Sequence, residues 1–313
     1  MFGQLVAETN AVSGIAYDRA KDGAATNETW CVGAHEMVLE RQRDAFGRIV
    51  GRGLTNGVWQ SVSYSEENRI EAVAADEATA NYAYAEDGTE LGYVLTVAGR
   101  TTIRRQVIRD AYRPELVVAV SNFVGGLSVN ATELGYDALS RVSSLNSSNV
   151  TYNARSELTG DLGAVYAYDQ IGNFVGQTIT YNCDGQVEEE NGLGFTYDDA
   201  GHLRSVTSNG VTLATYAYDP QERRVRKVTP TATHTYFYDG WALIREVIDR
   251  EGGDSETIDY CWGRDLSGSL DGAGGVGGLL FVKMGGEIYA PLYDHNGNVA
   301  AYVNRNGSVV ARY

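Results

Sequence analysis

The amino-acid sequence predicts an all-β fold of antiparallel β-hairpins, chiefly because a tyrosine-led phrase recurs along the chain. The phrase reads Tyr-Asp-x-x-Gly-x-apolar, and clean copies begin at Tyr168, Tyr197 and Tyr293. Weaker copies begin at Tyr64, Tyr136, Tyr152, Tyr181, Tyr218 and Tyr238. From Tyr136 to Tyr238 the steps are 13 to 21 residues, and a step of 16 is the commonest. Such a step accommodates two short strands and two turns, but not two parallel strands with a crossover helix. One copy therefore predicts one hairpin.

Composition supports the same fold class. The chain has 21 tyrosines against 7 phenylalanines, which favours a thin sheet that is partly exposed to solvent over a thick dry core. It has only 4 prolines, which leaves long stretches free for strand pairing. The segment 211–216 mixes β-branched and aromatic residues with small or polar ones, as strands do. The alanine-rich segment 72–85 would suit a helix by propensity, but the flanking copies favour strand.

The phrase has the chemistry of a tight turn. An aspartate after the tyrosine suits the first position of a type I turn, where its carboxylate accepts backbone N–H groups. Glycine four places after the tyrosine suits a left-handed residue that closes the loop with a bulge. The residue six places on is usually apolar and would pair with the tyrosine across the hairpin; examples are Leu203, Ile244 and Val299. The predicted site residues are therefore structural repeat turns: Tyr136, Asp137, Tyr168, Asp169, Gly172, Tyr197, Asp198, Gly201, Tyr218, Asp219, Tyr238, Asp239, Tyr293, Asp294 and Gly297.

Charge and apolar patterning exclude several classes of partner. A formal net charge of −16 disfavours binding to nucleic acid or to anionic lipid. The one basic cluster, residues 223–227, alternates as a strand would and is predicted to be a solvated face. No run approaches the roughly 18 apolar residues of a membrane span. The three cysteines, at 31, 183 and 261, are widely spaced and are predicted to be free, partly buried thiols.

Motifs that carry catalytic or cofactor chemistry are outweighed by plainer readings. Residues 272–277 match G-x-G-x-x-G, but the stretch after them is too short for the helix that a dinucleotide site needs, so a loop or tight backbone packing is favoured. Residues 294–298 loosely resemble a calcium loop, yet the required glycine and glutamate are missing, which favours a hairpin turn. The four histidines form no ligand pattern. We therefore predict no catalytic residue, no cofactor and no metal.

The repeated phrase, together with the stretch 260–280 and the Tyr238-Asp-Gly-Trp segment, resembles bacterial RHS-repeat (YD-repeat) proteins. The resemblance is strong over residues 130–313 and degenerate over 1–130. It implies a curved or spiralling antiparallel sheet that forms part of a hollow shell, as in the C components of ABC toxin complexes and, more distantly, the teneurins. In that family the shell encloses a C-terminal toxic polypeptide, which is released at an Asp-Pro-x-x-Gly type core. Asp219-Pro220 lies in a repeat turn without that glycine, so no cleavage residue is carried over.

Three regions are predicted: a degenerate β-repeat region at 1–130, regular repeats at 131–260, and a glycine-rich segment with the last repeat at 261–313. The expected function is that of a non-catalytic wall, secreted or at a bacterial surface. It would enclose or present another polypeptide, either its own C-terminal extension or a toxin-complex partner. We also expect the array to continue past residue 313. The alternative is a cell-surface adhesion module whose tyrosines stack on glycan or on a partner protein. Rings clustered in an exposed patch would favour adhesion, and rings ordered within the sheet would favour a wall.

Overall fold

The computed structural model describes residues 5–175 and 179–313, and its regular structure in those ranges is strand alone. A first sheet of 14 strands opens the chain, a short sheet of 3 strands follows, and a last sheet of 13 strands closes it. The first sheet contains β1 (Ala7–Thr9), β2 (Ser13–Arg19), β3 (Ala25–Val32), β4 (His35–Arg43), β5 (Ile49–Leu54), β6 (Trp59–Tyr64), β7 (Ile70–Ala75), β8 (Ala78–Tyr84), β9 (Glu90–Val97), β10 (Thr101–Arg109), β11 (Val117–Val124), β12 (Leu127–Tyr136), β13 (Val142–Leu145) and β14 (Ser148–Asn149).

The short sheet contains β15 (Thr151–Tyr152), β16 (Leu158–Asp161) and β17 (Ala164–Val165). The last sheet contains β18 (Ile179–Tyr181), β19 (Val187–Glu190), β20 (Leu193–Tyr197), β21 (Leu203–Ser208), β22 (Val211–Tyr218), β23 (Arg224–Val228), β24 (Ala232–Asp239), β25 (Ala242–Arg250), β26 (Ser255–Trp262), β27 (Leu279–Met284), β28 (Glu287–Tyr293), β29 (Val299–Asn304) and β30 (Val309–Arg312). In every sheet the strands follow one another in chain order. The molecule is therefore an antiparallel meander of hairpins, and the all-β prediction is confirmed.

Several strands of the two large sheets bury alternate residues. On β10, Thr101, Ile103, Arg105 and Val107 are buried while the residues between them are more exposed. This two-residue period is what a strand with one face against a core requires. The alanine-rich segment obeys the same rule as β7 and β8, so the strand prediction for it is confirmed.

The last sheet packs face to face against the first, and both advance in the same direction. The turn before β2 lies against the end of β22, where the Asn10 amide donates to Tyr218 O at 2.8 Å. At the other end, Asn122 on β11 donates to Tyr293 O at 2.7 Å. One hydrophobic cluster joins Val73 and Leu95 of the first sheet to Phe281 and Leu292 of the last. The strip of hairpins thus spirals back onto its own beginning, and we call this interface the seam.

The middle of the strip is a single layer. Between Leu134 and Ala214 no residue that the structure describes is buried. Large apolar side chains there are open to solvent, including Leu139, Leu162 and Ile171. This part is therefore held together within its own layer, by strand pairing and by side-chain contacts between neighbouring hairpins, without a second layer.

Two smaller expectations are corrected. The three cysteines are free, as predicted, but Cys31 and Cys183 are exposed and only Cys261 is buried. The basic cluster is not wholly a solvated face. Arg223 is buried, its guanidinium bonds Asp219 Oδ2 at 2.8 Å, and it lies 4.6 Å from the Trp30 ring centroid. The division into regions at 130 and 260 stays a prediction.

Candidate functional site: the repeat corner and the seam

All but one of the Tyr-Asp phrases form a corner in which the aspartate carboxylate organises the turn. At Asp169, Oδ1 accepts the N–H groups of Ile171 at 2.9 Å and Asn173 at 2.8 Å. The Asp169 N–H also donates to the Asn173 carbonyl at 2.9 Å, which closes the loop. The carboxylates of Asp137, Asp198, Asp219 and Asp294 accept the same two N–H groups, two and four residues on. One short side chain thus replaces water at two backbone donors.

In the copies whose aspartate caps its own turn, the fourth residue after the tyrosine is left-handed, whether or not it is glycine. Gly172, Gly201 and Gly297 have φ values of 93°, 87° and 80°. Ser140 and Glu222 occupy the same place after Tyr136 and Tyr218, with φ values of 60° and 66°. The corner therefore forms without glycine and carries some backbone strain there, because residues with a Cβ disfavour this region.

The tyrosines form a ladder that joins each hairpin to the one before it. The hydroxyl of Tyr218 donates to Leu203 O at 2.9 Å, and Leu203 itself pairs across its hairpin with Tyr197. The repeating rule is that each hydroxyl reaches the carbonyl that lies six places after the previous corner's tyrosine. Tyr84, Tyr181, Tyr197 and Tyr238 follow this rule, bonding Ile70, Phe174, Val187 and Arg224. The hydroxyls of Tyr136 and Tyr293 reach carbonyls of Val117 and Leu279, on earlier strands, in the same way.

Sequence reasoning missed the residue five places after the tyrosine, which in several copies joins the corner to the tyrosine ring of the next hairpin. Arg141 bonds Asp137 at 2.8 Å, and its guanidinium lies 4.6 Å from the Tyr152 ring centroid. His202 bonds Asp198 and stacks on the Tyr218 ring with centroids 4.6 Å apart. The residue five places after the tyrosine is basic in several copies, and this recurrence in the sequence could have predicted the contact.

The copy at Tyr238 turns differently, which corrects the predicted pairing. Tyr238 pairs with Leu243, not Ile244, and Asp239 pairs with Ala242 around a two-residue turn. Because the loop is shorter, the Asp239 carboxylate does not cap its own turn. Asp239 is instead buried at the seam.

Asp239 is the centre of a buried ionic cluster that joins the two large sheets. Its Oδ2 accepts from Arg52 Nη1 at 2.9 Å, and its Oδ1 accepts from Arg41. Arg41 also pairs with Glu28 at 2.7 Å. Burial by itself raises the pKa of Asp239, but the positive charges of Arg52 and Arg41 outweigh burial and hold that pKa below its ordinary value. These ion pairs link β24 of the last sheet to β4 and β5 of the first.

Other polar side chains of the first sheet hold the backbone of the last. Gln60 Nε2 donates to Trp262 O at 2.5 Å, and the Tyr82 hydroxyl accepts the Arg264 N–H at 2.8 Å. With the bonds from Asn10 and Asn122 described above, these contacts satisfy backbone groups at or beyond the ends of β22, β26 and β28.

The glycine-rich segment forms a packed loop at the seam. The carboxylate of buried Asp265 accepts the N–H groups of Ala273 at 2.6 Å and Gly275 at 3.2 Å. A Cβ on Gly275 would stand 2.9 Å from the Trp262 ring, so the close approach requires glycine. β27 starts at Leu279, with no helix in the described chain after the G-x-G-x-x-G match, which leaves that match without the element a dinucleotide site needs.

The electrostatics of the corners favour charged aspartates and neutral tyrosines. The backbone N–H groups of Arg141 and His202 hold the pKa of Asp137 and Asp198, respectively, below the ordinary value. Burial raises the pKa of Tyr293 well above its ordinary value. The tyrosine hydroxyl therefore stays a hydrogen-bond donor.

Metal and membrane features were also sought. Within residues 5–175 and 179–313, no group of three or more His, Cys, Asp or Glu side chains is arranged to hold a metal ion. The described chain contains no helix of the length and apolarity that crossing a bilayer would require.

This geometry defines a class of protein: a spiralling wall of Tyr-Asp hairpins. A family model described as the teneurin YD-shell matches residues 62–313, and the chain belongs to that family. The resemblance to RHS and YD-repeat shells is thereby confirmed.

Solved structures show the same fold. The crystal structure of TcdB2-TccC3-Cdc42 is similar with a TM-score of 0.74 at 11% identity, over 99% of this chain and 20% of that chain. TcdB2-TccC3 without its hypervariable C-terminal region gives 0.72 at 10%, over 99% and 20%. The chain thus spans about a fifth of the length of the solved chains it matches. No curated protein matches it.

Proposed function

We propose that this chain is a non-catalytic wall segment of an RHS-type shell, and that the shell encloses or presents another polypeptide. The tyrosine ladder is the observation that carries the proposal. The hydroxyls of Tyr84, Tyr197, Tyr218, Tyr238 and Tyr293 are spent on backbone carbonyls inside the sheet. Tyrosine hydroxyls bonded in this way stiffen the sheet and are not free to bind a ligand.

The enclosed polypeptide is proposed to be a toxin-type segment that follows the wall in the same protein, at or outside a bacterial surface. Support comes from the fold shared with TcdB2-TccC3, one structure of which is described as lacking a hypervariable C-terminal region. A wall needs a continuous strand order and a means of closing on itself. The sequential meander and the seam supply both.

The test is protease protection in the natural protein that contains this chain. We expect proteinase K to spare the segment that follows the wall and to digest the same segment when it is expressed alone. Asp239→Ala, which weakens the seam, should increase its digestion, whereas Asp169→Ala in the single-layered region should change it little. Equal digestion of the enclosed and free segments would contradict the proposal.

An adhesion module is less well supported. The most exposed aromatic residues are Tyr112, Phe46, Tyr313 and Trp241, and within the described residues no ring contact joins any two of them. Saturable binding of a glycan, lost when these rings are replaced, would favour adhesion over a wall.

A further inference from the structure

A cavity of about 230 Å³ lies at the seam, between the start of β4 and the face of β23 to β25 that is turned toward the first sheet. Arg226 pairs with Thr235, and Thr233 pairs with Asp249, so these four side chains share that face of the last sheet. His35 of the first sheet lies opposite them and bonds Asp249. All five polar residues line the cavity, and we call them the seam pocket.

Three residues of the seam pocket carry polar groups without protein partners. In the described chain, no hydrogen bond or ion pair engages the Arg226 guanidinium or the hydroxyls of Thr233 and Thr235. Thr235 is 3% exposed, so a ligand reaches its hydroxyl through the cavity. Polar groups inside a protein are usually hydrogen-bonded. One end of the pocket therefore offers a positive charge and two hydroxyl donors to a ligand.

The other end of the seam pocket offers a negative charge and acceptors. Asp249 Oδ2 accepts from His35 Nε2 at 2.7 Å, and Asp249 Oδ1 accepts from Ser255 Oγ at 3.0 Å. The bond from His35 is the main cause that holds the pKa of Asp249 below its ordinary value. A carboxylate has about four acceptor sites, so Asp249 can accept further bonds, and with Nε2 as the donor, His35 Nδ1 is an acceptor. The pocket is thus polarised from one end to the other.

We propose that the seam pocket binds a small α-amino acid as its zwitterion. The ligand's carboxylate accepts from Arg226 and the two threonine hydroxyls, and its ammonium group donates to Asp249 and His35 Nδ1. The guanidinium fork matches a carboxylate, whereas the charge of Asp249 disfavours a dianion such as phosphate.

The size of the seam pocket fits such a ligand. The strands that carry Arg226 and Asp249 flank β24 and lie roughly 10 Å apart. A long arginine side chain and a molecule of about six heavy atoms fill that span. Because His35 belongs to the first sheet and Arg226 to the last, the bound amino acid joins the two sheets, and we expect it to raise the thermal midpoint.

The test is titration calorimetry of the 313-residue chain with four probes of similar size: L-alanine, L-lactate, propionate and inorganic phosphate. We expect L-alanine to bind saturably, with a dissociation constant on the order of 1 mM or below. Lactate should bind more weakly because it lacks the positive charge. Propionate, which has no donor for Asp249, should bind about tenfold more weakly or less.

Variants assign the binding to the seam pocket. Arg226→Met should weaken L-alanine binding about tenfold or more, because a charged donor is lost, and Thr235→Val should weaken it about threefold or more. The matched control is Arg224→Met on the same strand. Arg224 lies over the rings of Tyr216 and Tyr236 and does not line the cavity, so its replacement should leave the affinity unchanged.

Four results would overturn the proposal. They are an absence of saturable L-alanine binding, equally tight binding of propionate or phosphate, an unchanged affinity in Arg226→Met, and an equal loss in Arg224→Met, which would place the site elsewhere. Protease protection of an enclosed segment does not depend on any of these results.

Discussion

The double-layered part of the molecule and its single-layered middle use the same phrase for different purposes. Tyr293 is 2% exposed, and its hydroxyl bond to Leu279 O is buried between the sheets. Tyr197 makes the equivalent bond to Val187 O at 2.9 Å in a sheet with no second layer. The phrase therefore encodes the corner and the ladder, whereas burial is decided by what lies across the seam.

The aspartates make the same contrast more sharply. Asp169 serves its own turn at a solvated corner. Asp239, at the same place in its phrase, lies between Arg52 and Arg41 of the other sheet. The aspartate that caps the turn in other copies is, at Asp239, the acidic partner in ion pairs between the two layers.

The largest effect is expected from removing that charge. Asp239→Ala leaves buried Arg52 without a carboxylate partner and leaves Arg41 with Glu28 alone, and we expect it to lower the free energy of unfolding by about 3–5 kcal/mol. Asp169→Ala should cause a clearly smaller loss, because the backbone N–H groups that Asp169 accepts can bond to water instead. Urea unfolding followed by circular dichroism measures both. Equal losses would mean that the seam adds nothing to the corner.

A smaller effect is expected from glycines that share a conformation but differ in surroundings. Gly185 and Gly297 have φ values of 76° and 80°. A Cβ on Gly185 meets nothing within 4 Å, whereas one on Gly297 would stand 2.9 Å from Val276 Cγ1 and 3.1 Å from Gly277 N.

Alanine at Gly185 should cost roughly 1–2 kcal/mol from the left-handed backbone alone. Alanine at Gly297 should cost about 1–3 kcal/mol more, because the glycine-rich loop must also move. The difference between the two thermal midpoints is the measurement. A smaller loss at Gly297 would show that this loop is not packed against the corner.

The fold could be predicted from sequence because its information is local. A carboxylate, a left-handed residue and a tyrosine within seven positions define a corner, and their spacing defines a hairpin. The contact of Arg141 with the next hairpin was also within reach, since basic residues recur at that place. Ser140 and Glu222 show that the left-handed place is set by the corner's geometry and not by glycine alone.

The seam could not be predicted, because its partners are far apart in the chain. Asp239 and Arg52 are 187 residues apart, and nothing in the sequence around either residue indicates the other as its partner. The run that begins at Arg223 looked like a solvated face for the same reason. Which corners become buried depends on the pitch of the spiral, and the sequence of a single repeat does not determine that pitch.

The smallest effect we predict tests the ladder itself. Tyr293→Phe removes a donor and leaves the buried Leu279 carbonyl unpaired, so we expect a loss of about 1–3 kcal/mol. Tyr197→Phe removes the same bond where water reaches the freed Val187 carbonyl, so the loss should be about 0.5–1 kcal/mol. Both free energies come from urea unfolding of the single variants. If Tyr197→Phe costs as much free energy of unfolding as Tyr293→Phe, the hydrogen bond alone accounts for the stabilisation by the ladder. Burial under the second layer would then add nothing to the strength of that bond.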